Sequence, residues 1–188
     1  MIYSIPNIVT FSRLLLIPLL VVFYSLPYFW AKWAVAIVFF ISAMGDWLDG
    51  FLARQLSQSS RLGAFLDPVA DKLIVTTGLI LLLKTHNNVW FLLATLVIVG
   101  REIIISALRE WMAICGASAT VAVSWVGKLK TVMQAAAITI LLLPVPMSWN
   151  ALVLPIGYTA LLLATILTLW SMVVYLCRAW PSLVRSVS

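Results

Sequence analysis

The sequence predicts an all-α integral membrane protein with six transmembrane helices in a single domain, residues 1–188. Of its 188 residues, 64% are hydrophobic and only 10% are charged, which is too few charges to cover a soluble domain of this length. The mean hydropathy is +1.12. Six apolar segments have about the 20 residues that a helix needs to cross a bilayer. Together these observations predict a chain that is nearly all embedded in the membrane.

The first three spans are predicted at residues 8–26, 32–54 and 63–84. Pro27 ends the first span, and the polar run 55–60 separates the second from the third. No cationic segment precedes the first apolar stretch, so we do not expect a cleaved signal peptide. The connection between the second and third spans is long enough for a reversal, which makes these helices antiparallel neighbours.

The last three spans are predicted at residues 89–112, 124–143 and 151–177. Turn-forming or polar residues separate all of these segments, at 85–88, 116–118 and 144–150. The histidine in the first of these breaks, His86, falls on the predicted outer side, and no function is assigned to it. The two cysteines, Cys115 and Cys177, share no CxxC spacing and are expected to be free thiols.

Basic residues predict the orientation of the six spans. Both termini must lie on one side, and if that side is the cytoplasm, only Lys32 and Lys84 of the 12 basic residues lie outside. The inner set is Arg13, Arg54, Arg61, Lys72, Arg101, Arg109, Lys128, Lys130, Arg178 and Arg185. Positive residues favour the cytoplasmic side, so both termini are expected there. No basic run interleaved with aromatic residues occurs, and we expect no nucleic-acid partner.

Four of the six acidic residues lie near the inner ends of the second and third spans. Asp46 and Asp49 are three residues apart, and Asp67 and Asp71 are four apart, so each pair shares one helix face. A single Asp at the bilayer centre costs roughly 2.5–3.5 kcal/mol, so such a concentration requires compensation. Ion pairs with nearby cations could hold one or two of these carboxylates, but they do not account for four on two facing stripes.

Bound metal accounts for all four aspartates. Oxygen ligands without a nearby His or Cys favour a hard ion, Mg²⁺ or Mn²⁺. Two such ions that share carboxylates are a common device for phosphoryl transfer. Gly50, Ala53 and Arg54 share the stripe of the first aspartate pair. Small residues there permit either close helix packing or the approach of a ligand, and the adjacent charges favour a ligand.

The spacing of these residues resembles the signature of a known family. It is Asp46-x2-Asp49-Gly50-x2-Ala53-Arg54-x8-Gly63-x3-Asp67-x3-Asp71, which resembles the motif of the CDP-alcohol phosphatidyltransferases at every fixed position. The similarity extends through residues 5–13, 65–72, 101–112 and 121–130. It covers essentially the whole chain, and the tail after Arg178 is the least distinctive part.

The resemblance implies a fold, a location and a reaction. The fold would have six membrane helices around a polar cavity that faces the cytosol, as a homodimer in the bacterial inner membrane. The reaction would transfer a phosphatidyl group from CDP-diacylglycerol to glycerol 3-phosphate, giving phosphatidylglycerophosphate and CMP. By the same resemblance, two ions of Mg²⁺ or Mn²⁺ are held by the four aspartates, and Asp71 is the general base.

The resemblance also assigns a donor-binding site. CDP-diacylglycerol would contact Asn7, Thr10, Arg13, Asp49, Gly50, Ala53 and Arg54. The residues at 7, 10 and 13 could instead serve helix entry and anchoring at the inner interface.

Cations at the inner ends of the fourth and fifth spans favour a site for the phosphate of the acceptor. From the group around this loop, Arg101, Arg109 and Lys128 are the expected glycerol 3-phosphate ligands, since Arg binds phosphate in a bidentate manner. Isolated interfacial cations more often contact lipid headgroups, which is the alternative. Glu102 is expected to orient Arg109, or else to form an ion pair between helices.

Three other functions are compatible with parts of the pattern. A sister enzyme could use inositol phosphate, serine or phosphatidylglycerol as acceptor, and the core motif does not separate these. A membrane prenyltransferase also binds pyrophosphate through metal and aspartate, although with different aspartate spacing. A divalent-cation transporter would need polar groups across the midplane, whereas all four aspartates lie at one end.

Overall fold

The residues that the computed structural model describes form six α-helices, one for each predicted span. The backbone is described for residues 5–56, 61–114 and 125–185, and the side chains for residues 10–45, 63, 65–114 and 129–180. The helices are α1 (Ile5–Ser25), α2 (Phe29–Leu56), α3 (Arg61–Thr85), α4 (Val89–Ile114), α5 (Trp125–Leu142) and α6 (Met147–Arg185). Across these ranges there is no β-strand, so the all-α prediction is confirmed.

The largest difference from the predicted boundaries is at α6, which ends at Arg185 instead of residue 177. The predicted span ended where the apolar run ends, at Arg178. Helical backbone needs only its own hydrogen bonds, so it continues past the end of the continuous apolar run. The other helices begin and end within a few residues of the predicted positions, which is the usual uncertainty of helix ends.

Contacts between α1 and α3 show that these two helices run in the same direction. Thr10, near the start of α1, contacts Asp67, near the start of α3. At the other ends of the same helices, the Tyr24 hydroxyl donates to the Leu81 carbonyl at 2.9 Å. Helix α2 packs against both α1 and α3 and connects them in the chain.

Helices α4 and α6 also run in the same direction. Phe91 near the start of α4 lies edge-to-face with Tyr158 of α6, with ring centroids 6.4 Å apart. Further along both helices, Arg101 donates to Ser171. Helices α1 and α3 thus form one parallel pair, and helices α4 and α6 form another.

The core of the bundle is apolar and closely packed. Its fully buried members include Leu20, Phe39, Leu79, Leu82, Ile98, Ile138 and Leu161. Gly78 lies where α3 crosses α2 and α5, and a Cβ there would come within 2.7 Å of the Phe39 ring and 2.9 Å of Ile138. Only glycine permits this crossing without displacement of both side chains.

The outer surface of the bundle is apolar as well. Large exposed side chains include Leu15, Phe40, Leu96, Ile104, Ile166 and Trp170. Among the described residues, two helices are long and apolar enough to cross a bilayer, Val89–Ile114 and Met147–Trp180. Shorter apolar helices are present at Thr10–Ser25, Phe29–Gly45 and Leu129–Leu142.

Candidate active site

Two aspartates of α3 are held by side chains of α1. The Thr10 hydroxyl donates a hydrogen bond to Asp67 Oδ1. Four residues further along α3, Asp71 Oδ1 lies 3.5 Å from Arg13 Nη2. Thr10 and Arg13 are one helical turn apart, as are their partners, so two successive turns of parallel helices face each other. We call these four residues, Thr10, Arg13, Asp67 and Asp71, the carboxylate cluster.

Arg13 is buried inside the bundle, with 2% of its surface exposed. Its Nε donates to the Ser42 carbonyl of α2 at 3.1 Å. Gly45 lies one turn further along α2, and a Cβ there would be 3.1 Å from Arg13 Cδ. Arg13 thus crosses a narrow space between α2 and α3. A side chain this buried cannot anchor the helix at the membrane interface, so that alternative for Arg13 is wrong.

The other predicted donor-site residues have side chains outside the described residues. Helix α2 extends to Leu56, so positions 46, 49, 50, 53 and 54 are helical, as predicted. How Asp46, Asp49, Gly50, Ala53 and Arg54 face α3 stays a prediction. The same holds for the contacts of Asn7 on α1.

A second polar group lies between α4 and α5. Glu102 accepts hydrogen bonds from Lys130 Nζ of α5 and from Arg101 Nη1, the latter at 3.1 Å. Lys130 is 1% exposed and Arg101 is 7% exposed. Burial of two cations is tolerated here because they share a carboxylate. We call Arg101, Glu102, Arg109 and Lys130 the basic cluster.

This pairing differs from the one predicted for Glu102. The carboxylate joins α4 to α5 through Lys130, and no contact with Arg109 occurs among the described side chains. The prediction that Glu102 orients Arg109 is therefore wrong, and the alternative, an ion pair between helices, is confirmed. Arg101 is too buried to contact lipid headgroups, whereas Arg109 is exposed.

Both arginines of the basic cluster contact α6. Arg101 Nη2 donates to Ser171 Oγ at 3.1 Å, and Arg109 Nη2 donates to the Tyr175 hydroxyl at 3.3 Å. The guanidinium carbons of Arg101 and Arg109 lie 5.6 Å and 5.4 Å from the centroid of the Tyr175 ring. Helix α6 therefore takes part in the site, although no residue of this helix was predicted to do so.

The carboxylate cluster and the basic cluster adjoin. Lys72, next to Asp71 on α3, donates to Ser106 of α4, one turn after Glu102. The ammonium group of Lys130 interacts electrostatically with Glu102, Arg101 and Asp71. Anionic and cationic groups thus meet at one end of the bundle. This arrangement can hold a metal-bound pyrophosphate on one side and a separate phosphate on the other.

Comparison with known proteins decides the family. The family model described as CDP-alcohol phosphatidyltransferase matches residues 3–177. The chain belongs to the CDP-alcohol phosphatidyltransferase family. The match includes the aspartate motif and both clusters.

Three curated relatives of this family member carry the same name. A protein of Pseudomonas fluorescens called CDP-diacylglycerol–glycerol-3-phosphate 3-phosphatidyltransferase is 50% identical over 182 residues, 96% of this chain and 92% of the relative. Proteins with the same name from Salmonella choleraesuis and Shigella flexneri are 48% and 45% identical over 179 residues, 94% of this chain and 95% of each relative. The similarity therefore spans nearly the whole of each protein.

A hard divalent cation fits the chemistry of the donors in this family member. Asp67 and Asp71 present carboxylate oxygens on one face of α3, and the Asp71 side chain is 42% exposed. Within the described side chains, no group of three His, Cys, Asp or Glu residues lies together. Asp46 and Asp49 of α2, which the motif predicts as further ligands, have side chains outside the described residues.

The opposite end of the bundle has a different character. His86, between α3 and α4, bonds through Nδ1 to the Tyr158 hydroxyl at 2.7 Å and stacks on Phe91. Burial lowers the pKa of His86, while a hydrogen bond to the Leu141 backbone acts in the opposite direction. This group lies far along α3 from Asp67 and Asp71, in line with the absence of an assigned function.

Proposed function

We propose that this chain transfers the phosphatidyl group of CDP-diacylglycerol to glycerol 3-phosphate, forming phosphatidylglycerophosphate and CMP. The observation that carries the proposal is similarity of 45–50% identity, over more than nine tenths of both chains, to relatives whose name states this donor and this acceptor. The adjoining positions of the carboxylate cluster and the basic cluster support it, because the reaction brings together a pyrophosphate and a second phosphate.

The chemical step forms one bond and breaks one. A hydroxyl oxygen of glycerol 3-phosphate attacks the phosphorus of the phosphatidyl group, and the bond from that phosphorus to the CMP oxygen breaks. Asp71 accepts the proton of the attacking hydroxyl. Arg13 keeps the Asp71 carboxylate in place, so that it acts through its position within hydrogen-bond reach.

The four aspartates, Asp46, Asp49, Asp67 and Asp71, would hold two Mg²⁺ or Mn²⁺ ions. When bound, these ions neutralise the pyrophosphate charge and stabilise the charge that develops on the departing CMP. Thr10 supports this function by orienting Asp67 before any ligand arrives. Asn7, Thr10 and Arg13, together with Gly50, Ala53 and Arg54, would complete the site for CDP-diacylglycerol.

Arg101, Arg109 and Lys128 would hold the phosphate of the acceptor. Arg109 is exposed and can donate to a ligand oxygen, and the buried Arg101 Nε has a hydrogen-bonding capacity that no described residue satisfies. Glu102 neutralises part of the local positive charge and fixes Lys130, whose ammonium group also interacts electrostatically with Asp71.

The protein would work as a single domain, residues 1–188, with all six helices in the bacterial inner membrane. Both termini and the polar end of the bundle would face the cytoplasm, as a homodimer. The apolar outer surface of the bundle supports the membrane setting. A cytoplasmic polar end gives the soluble acceptor access while the acyl chains of the donor stay in lipid.

Competition between acceptors tests the proposal. One purified preparation would receive CDP-diacylglycerol and Mg²⁺, with glycerol 3-phosphate, inositol phosphate, serine or phosphatidylglycerol offered in turn, and released CMP would be measured. We expect glycerol 3-phosphate to support by far the fastest release. Faster release with another acceptor would identify a sister enzyme, and no release with any acceptor would contradict the proposal.

A further inference from the structure

Two side chains of α6 lie against the arginines of α4. Ser171 and Tyr175 are one helical turn apart, and both are 2% exposed. Ser171 contacts Arg101, and Tyr175 contacts both Arg101 and Arg109. One face of α6 thus meets both of the described arginines that the proposed function assigns to the acceptor phosphate.

The hydrogen bonds of Ser171 have a fixed direction. Its hydroxyl donates to the Thr168 carbonyl at 2.9 Å, which uses its single proton. Ser171 Oγ must therefore act as an acceptor toward Arg101 Nη2, at 3.1 Å. The guanidinium is held from one side, while its buried Nε has no hydrogen-bond partner among the described residues.

The Tyr175 ring forms a rigid platform for both guanidinium groups. It packs among Ile105, Leu108, Met112 and Ala179, which fix its position. Both guanidinium carbons lie within the distance of about 6 Å at which a cation is attracted to an aromatic ring. A guanidinium held by the ring keeps N–H groups free for a phosphate, and less conformational entropy is lost when that phosphate binds.

We propose that Tyr175 and Ser171 are positioning residues that hold Arg101 and Arg109 ready for the phosphate of the acceptor. This inference rests on the proposed function, since it assigns the two arginines to glycerol 3-phosphate. Neither positioning residue needs to touch the substrate. Their effect is on the affinity for the acceptor, and the handling of CDP-diacylglycerol is unaffected.

The test uses the full-length purified enzyme and three variants, Tyr175→Leu, Tyr175→Phe and Ser171→Ala. Tyr175→Leu removes the ring and the hydroxyl, and we expect the KM for glycerol 3-phosphate to rise about tenfold. Tyr175→Phe keeps the ring, so a rise of about threefold is expected, and a similar rise for Ser171→Ala. The KM for CDP-diacylglycerol, and kcat at saturating acceptor, should stay within about twofold of wild type. Inorganic phosphate, as a competing anion, should inhibit Tyr175→Leu more weakly than wild type.

The matched control is Tyr158→Leu, the same change on the same helix at the opposite end of the bundle. It removes the bond to His86 and should lower stability without a change in either KM. Equal increases in both KM values, or a loss of kcat with an unchanged acceptor KM, would overturn the inference. If Tyr175→Leu does not fold, an unchanged acceptor KM in both Tyr175→Phe and Ser171→Ala would also overturn it. Failure of wild type to use glycerol 3-phosphate would instead overturn the proposed function.

Discussion

The carboxylate cluster and the basic cluster lie side by side but are built differently. In the first, residues one turn apart on α1 meet residues one turn apart on α3, and Asp71 is 42% exposed at its side chain. In the second, Arg101 of α4 and Lys130 of α5 are buried, Arg109 of α4 is exposed, and all three contact partners from other helices. The first is open to a ligand, whereas the second must be held in place by its own ion pair and aromatic ring. The two substrates of the proposed reaction therefore make different demands on the fold.

The largest effect on turnover is expected in the carboxylate cluster, where the Asp71 side chain is partly exposed. Asp71→Asn removes the proton acceptor and a metal ligand, and turnover should fall roughly 10²–10⁴-fold. The protein should still insert and fold, because Asn fills the same space. CMP release from CDP-diacylglycerol measures the change. Near-normal turnover would exclude Asp71 from the chemical step.

A smaller loss is expected when the support of Asp71 is removed. Arg13→Ala should lower kcat about 10- to 100-fold, because a small displacement of a reacting group has a large effect on rate. Arg13→Lys keeps the charge but lacks the planar fork that reaches both Ser42 and Asp71, so it should restore only part of the activity. The variants Arg13→Ala and Arg13→Lys would be compared by CMP release. Full activity of Arg13→Ala would show that Asp71 needs no support from α1.

The free energy of unfolding should respond more to changes in the basic cluster, where Lys130 is buried. Glu102→Gln leaves Lys130 without a counter-charge, and we expect a loss of about 2 kcal/mol in the free energy of unfolding. The double variant Glu102→Gln/Lys130→Met should recover part of this loss, since only one of the two buried cations, Arg101, is then left without its carboxylate partner. Thermal unfolding in detergent measures both, with Glu110→Gln, an exposed position on the same helix, as the control. A loss no greater than that of Glu110→Gln would contradict a structural ion pair.

The smallest effect concerns the opposite end of the bundle. Burial lowers the pKa of His86 below its usual value near 6.5, so the unfolded chain binds a proton more readily than the folded one. The burial of neutral His86 therefore adds to the stability of the folded protein at pH values above 6.5, and this contribution is lost as the pH falls below 6.5. Between pH 7.5 and 5.5, wild type should lose a few degrees more in Tm than His86→Gln, with no difference in KM. An equal loss in both proteins would show that His86 is not linked to folding.

Sequence alone predicted the helical fold because helices depend on local patterns, whereas the pairings of Thr10 with Asp67 and of Arg13 with Asp71, 57 and 58 residues apart, depend on the packing of α1 against α3. Six apolar runs with polar breaks gave the helices, and fixed spacing on two consecutive spans gave the aspartates. The basic cluster was only partly predictable. Arg101 was expected as a site residue, but its partners were not. Glu102 pairs with Lys130, 28 residues away. Arg101 pairs with Ser171, 70 residues away, and Arg109 pairs with Tyr175, 66 residues away. Such pairings depend on the packing of α4 against α5 and α6, and the only signal was a Ser and a Tyr at helical spacing.

The end of α6 shows the same limit. Its sequence after residue 177 carries no apolar pattern of its own, so the predicted span stopped there, whereas the helix continues to Arg185. The part of α6 just before that point supplies the ring that contacts both arginines. A weak pattern in one segment therefore says little about its part in a site that several segments build.

The central claim is that the carboxylate cluster binds CDP-diacylglycerol and the basic cluster binds glycerol 3-phosphate. The most direct test of this claim is to measure the KM of the Arg109→Ala variant for each substrate. Loss of a charge-assisted hydrogen bond should raise the KM for glycerol 3-phosphate about tenfold, because Arg109 belongs to the basic cluster alone. The KM for CDP-diacylglycerol should stay within about twofold of wild type. Equal increases in both values would contradict the division of the two substrates between the carboxylate cluster and the basic cluster.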